Sequence, residues 1–69
     1  MDKTKKPTIP VKQLLSDCLD DLGELNSIIE YCKTERTFIF DMERKMNKNE
    51  EITDMEHIIL YKIWRRHLF

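Results

Sequence analysis

Glycine, proline and cysteine are all scarce in these 69 residues, with one glycine, two prolines and two cysteines. A single glycine leaves almost no turn chemistry for a multi-stranded sheet, whose tight hairpins draw on residues of positive φ. It also excludes a glycine-rich loop of the kind that cradles a phosphate. Two cysteines close at most one bridge, so the chain is not a disulfide scaffold, and four-ligand zinc spacing is missing. Long hydrophobic runs are absent too. The most apolar stretch, Ile58 to Trp64, is broken by Lys62 and falls far short of the ~20 residues of a membrane span. No apolar run follows the N-terminal lysines as it would in a signal peptide. The expected setting is therefore cytoplasmic, away from the membrane and with reduced thiols.

What is present describes a folding chain, with 41% hydrophobic and 36% charged residues. At 8.4 kDa it is one small domain, burying only about 60% of its extended-chain surface. Twelve basic and thirteen acidic residues nearly cancel, but they come in blocks. Lys3, Lys5, Lys6 and Lys12 lead the chain. Asp17, Asp20, Asp21, Glu24 and Glu30 follow with no base among them, and Lys62, Arg65 and Arg66 lie close to the C-terminus. Alternating blocks suit a molecule whose faces differ in sign, not a generic binder of polyanions.

The hydrophobic pattern is helical. Val11, Leu15, Cys18, Leu22, Leu25, Ile29 and Cys32 alternate steps of four and three without a miss. Leu14, Leu19 and Ile28 widen the stripe. This predicts one helix over about 10–33, with Thr8 as cap and Pro10 in its first turn. Gly23 inside it costs about 1 kcal/mol relative to alanine. The seam then shifts to Phe38, Ile39, Met42 and Met46, a second helix over about 35–47 with Thr34 as candidate cap. Residues 33–36 fit a turn and a kink equally. Thr37 to Phe40 has strand propensity but nothing to pair with. Asn47 to Glu51 reads as a loop. Thr53 with Glu56 three residues on forms a capping box for a last helix over about 53–68. The expected architecture is all-α, a small antiparallel helical hairpin or three-helix bundle over residues 10–69, completed by dimerisation. Residues 1–9 are read as a flexible basic leader.

Few constellations carry chemistry. On a continuous helix Cys18 and Cys32 share one seam, about 21 Å apart, so both are expected in the core with no internal bridge. A bridge between antiparallel copies is the alternative. Acidic neighbours disfavour a reactive thiol at Cys18. Asp17, Asp21, Glu24 and His57 are the residues that a metal-dependent reading would use, but the acids read more simply as a solvated face. His57 is expected near the N-terminal end of the last helix, and His67 as a C-terminal cation. Neither Ser16 nor Ser27 sits on a glycine-flanked elbow. An enzyme is not expected, and no cofactor is implied.

The last helix is apolar over more than one stripe, as in a helix that touches two neighbours or a partner. Its anchors for another protein would be Ile59, Tyr61, Ile63, Trp64 and Leu68, with Arg65 and Arg66 on the rim. The acidic face of Asp17, Asp20, Asp21 and Glu24 would steer a basic partner. The expected function is a non-enzymatic protein-protein interaction module acting as regulator, inhibitor or adaptor. The alternative is a nucleic-acid-associated regulator using Lys62, Arg65, Arg66 and the N-terminal lysines. Arg66-His67-Leu68-Phe69 resembles the Arg-x-Leu-Phe docking peptides read by cyclins, and the Leu68-Phe69 pair resembles peptides that dock on bacterial sliding clamps. Each likeness covers four residues or fewer.

Overall fold

The computed structural model describes residues 7–68, and all of its regular structure is helical. Four helices follow one another, α1 Val11–Leu22, α2 Leu25–Ile28, α3 Lys33–Asn47 and α4 Asp54–Leu68. α1 packs against the other three. Its relation to α4 is parallel: Ile9, just before α1, meets His57 early in α4, and Asp17 meets Trp64 further along both helices. α3 runs the opposite way. Its first turn reaches the last turn of α4 through Glu35, and its last turn reaches the first turn of α4 through Lys45 and Glu56. The enclosed core holds Leu14, Leu15, Cys18 and Leu22 of α1 together with Tyr31, Ile39, Met42, Leu60 and Ile63.

The expected helix over 10–33 is thus corrected, because α1 ends at Leu22. A helix of 24 residues would run about 36 Å. α3 and α4 have 15 residues each, about 22 Å, so the last third of a longer α1 would have nothing to lie against. The chain instead turns at Glu24, whose backbone is extended (φ −95°, ψ 128°), while Gly23 keeps helical angles (φ −75°, ψ −11°). The seam residues beyond the break lose their cover. Leu25 is 85% exposed and Ile29 77%, and Cys32 is exposed where a core position was expected. Both cysteines are free.

The helix ends follow local chemistry. Pro10, not Thr8, is the N-cap of α1, with Leu14 N–H donating to its carbonyl at 3.1 Å. Residues 33–36 are neither a turn nor a kink but the opening of α3, capped at Cys32 in place of Thr34. The Thr53 capping box is formed as read: Glu56 N–H donates to Thr53 Oγ1 (3.2 Å) and Thr53 N–H to Glu56 Oε1 (3.0 Å). Of the leader, residues 1–6 with Lys3, Lys5 and Lys6 lie outside the described residues. Ile9 is not loose, since it packs on the core.

α3 closes with a Schellman motif. Glu50 N–H donates to the Lys45 carbonyl (2.9 Å) and Asn49 N–H to that of Met46 (3.2 Å). Asn49 is left-handed there, with φ 57°. Asn49→Val should cost about 1–2 kcal/mol, since a side chain with Cβ is strained in that region and a branched one more so. Asn49→Gly should be neutral or slightly stabilising. Thermal unfolding of the two variants checks this order.

Candidate interaction surface

A polar clasp ties the ends of α1, α3 and α4 together, centred on Glu35. Its carboxylate sits at the third position of α3 and is 8% exposed. It accepts from the Cys32 amide (3.1 Å), from Arg66 Nη1 (3.2 Å) and from His67 Nε2 (3.0 Å). Burial alone would raise its pKa. The hydrogen bonds from His67 and Cys32, with the charges of His67 and Arg66, outweigh that and hold it below the usual carboxylate range. The His67 ring stacks on Tyr31, centroids 3.7 Å apart and 17° from parallel. Tyr31, 2% exposed, donates its hydroxyl to Asp21 at 2.8 Å. Burial first, then this bond, raise the Tyr31 pKa, so the phenol stays neutral. His67 is more than the terminal cation that its position suggested. It is a structural partner of two helices.

Beside the clasp, α1 and α4 enclose an open groove of about 380 Å³ lined by Asp17, Asp20, Asp21, Glu24, Trp64 and Leu68. Trp64 Nε1–H donates to Asp17 Oδ2 at 3.0 Å, which turns the indole toward the carboxylates. Tyr61 stacks behind it, 5.9 Å between centroids and 23° from parallel. Two features separate in sequence, the acidic face and the anchors Trp64 and Leu68 of the last helix, therefore line one groove. No family model matches the chain, and no curated protein or solved structure gives a significant match.

The remaining anchors divide. Ile63 is 7% exposed and belongs to the core. Ile59, 38% exposed, stands one turn from Met55, 61% exposed, away from the groove residues. Leu68 is 37% exposed at the groove. Arg65 and Arg66 are exposed, but Arg66 is drawn toward α3 by Glu35. Phe69 lies outside the described residues.

The two other chemical readings meet the same geometry. His57, 8% exposed, donates its Nε2–H to the Ile9 carbonyl at 2.7 Å, at the opposite end of α1 from Asp21. Among the described residues no three of His, Cys, Asp and Glu are grouped to hold a metal ion. The Cys18 thiol is fully buried, and burial, then Asp17, Asp21 and Glu35, push its pKa up to about 12. Among the described residues no helix is long and apolar enough to cross a membrane. Sequence reasoning missed Glu35 and Tyr31. Glu35 stands three residues after Cys32, the spacing of a capping box, but a thiol is not the residue that signals one.

Proposed function

We propose that the chain is a small, non-enzymatic helical interaction module that binds a basic amphipathic segment of another protein and acts as a regulator, inhibitor or adaptor. The observation that supports this most is the groove, in which four carboxylates ring an indole and a leucine. An apolar stripe of a partner helix would rest on Trp64 and Leu68. Its lysines or arginines would face Asp20 and Glu24, with cation–π attraction to Trp64. α1, α3 and α4 would act as a three-helix bundle that a second copy completes in the cytoplasm, burying the apolar surface left on α2.

A helical peptide with a leucine stripe flanked by lysines is the probe, titrated calorimetrically at low and moderate salt. Asp20 and Glu24 are both exposed, so reversing them to lysine leaves the core alone. The double reversal should weaken binding at least ~10-fold and flatten its salt dependence. Equal affinity for the parent and the reversed chain would refute the groove as the binding site.

A further inference from the structure

We infer that Gly23–Cys32 is a hinge through which two copies of the chain exchange α1, with α1 and α2 joining into one straight helix. This deepens the self-association part of the proposed function and rests on it. Three observations carry it. First, the apolar seam continues beyond the break. Leu15, Cys18 and Leu22 are at most 6% exposed, whereas Leu25 and Ile29, next in the same alternation, are 85% and 77% exposed.

Second, the break is one residue deep. Val11–Leu22 and Leu25–Ile28 are helical, and Gly23 and Ile29 hold right-handed helical angles. Between Gly23 and Ile29 the break is Glu24, extended at ψ 128°, and no side-chain hydrogen bond caps α2 there. Returning one ψ angle to its helical value gives a helix whose stripe runs from Val11 to Ile29.

Third, the newly joined stripe is complementary to itself. In an antiparallel pair centred on Ser27, Leu25 lies opposite Ile29 of the second copy, and Ile29 opposite the second copy's Leu25, as an isologous contact requires. Straightening draws α1 away from its own α4. The second copy restores what is lost, because its Trp64 and His57 take the places of the first copy's own against Asp17 and Ile9. No unrelated protein offers the same seats.

Two variants push the hinge in opposite directions. Leu25→Pro suits the bent form. Position 25 opens α2, where proline is favoured, and the residue before it is already extended as proline prefers. Inside a straight helix the same proline breaks a turn. The double variant Gly23→Ala/Glu24→Ala favours the straight form through position 24, which is extended only in the bent form, position 23 being helical in both. Each is followed by sedimentation equilibrium under reducing conditions, with helicity by circular dichroism. The expected result is a dimer that Leu25→Pro weakens about 100-fold with the monomer still folded, and that the double alanine variant tightens about tenfold. A Leu25→Pro chain that dimerises as well as the parent overturns the hinge while leaving self-association standing. A double alanine variant that stays monomeric at every concentration overturns both. If Leu25→Pro proves unfolded, the double alanine result decides alone.

Discussion

Replacing Glu35 by alanine should destabilise the protein by about 2–3 kcal/mol, although the residue is charged and lies on the first turn of a helix. The carboxylate accepts from the Cys32 amide, from Arg66 and from His67. Alanine leaves the Cys32 N–H at the start of α3 without its acceptor. It also leaves the His67 ring nitrogen, whose side chain is 7% exposed, facing a gap. Arg66 contributes least, because its side chain is 69% exposed and water replaces the lost partner. Glu35→Gln keeps an acceptor at the same place without the charge, and should retain about half of the lost stability. Urea unfolding of the three chains at neutral pH measures the order.

The same residue shapes the acid limb. Its folded pKa lies below the ordinary value, so the stability it supplies is present above the unfolded carboxylate pKa, about 4.3. That stability is lost as pH falls through the folded value. Asp41, lowered chiefly by its bond from Arg44, and Glu56, lowered chiefly by Lys45 and then the Thr53 amide, act in the same direction. Stability of the parent should therefore fall below about pH 5. The Glu35→Ala chain should fall less steeply, since it has one such proton fewer to take up. Parallel slopes in the two chains would show that the clasp is not what acid breaks.

Much of the fold is legible in the residues, and the exception has a physical cause. The last helix announces its start because threonine and glutamate at Thr53 and Glu56 are the residues that satisfy orphan amides. The scarcity of glycine leaves little turn chemistry for a multi-stranded sheet before any pattern is considered. The bend at Glu24 is not written in the same way. Periodicity records which positions are apolar, and Leu25 and Ile29 satisfy it fully. Whether they are covered depends on how long α3 and α4 are, which is a property of the assembled domain. The groove divides likewise. The acidic face and Trp64 are each visible as features, but Asp17 and Trp64 lie 47 residues apart in the chain. Their meeting follows from the parallel packing of α1 and α4, which no local pattern encodes.

Two leucines given the same substitution test that account most directly. Leu60 is fully buried in α4, and Leu60→Ala removes a methine and two methyl groups from a core enclosed by three helices. Such truncations cost about 2–5 kcal/mol, the cavity adding to the lost transfer energy. A domain of this size has only about 3–10 kcal/mol in total. The variant should thus be largely or wholly unfolded at room temperature, with its helicity falling together with its cooperative transition. Leu25 holds an equally regular place in the apolar alternation, yet at 85% exposure it has almost no packing to lose. Leu25→Ala should shift stability by no more than about 0.5 kcal/mol when measured at a concentration where the chain is monomeric. Were Leu25 covered like Leu22, its truncation would cost several times more. A loss at Leu25 comparable to that at Leu60 would therefore show that Leu25 is packed in solution and not exposed. A near-silent Leu25 beside a crippling Leu60 means that the stripe beyond Leu22 is held for something other than the core.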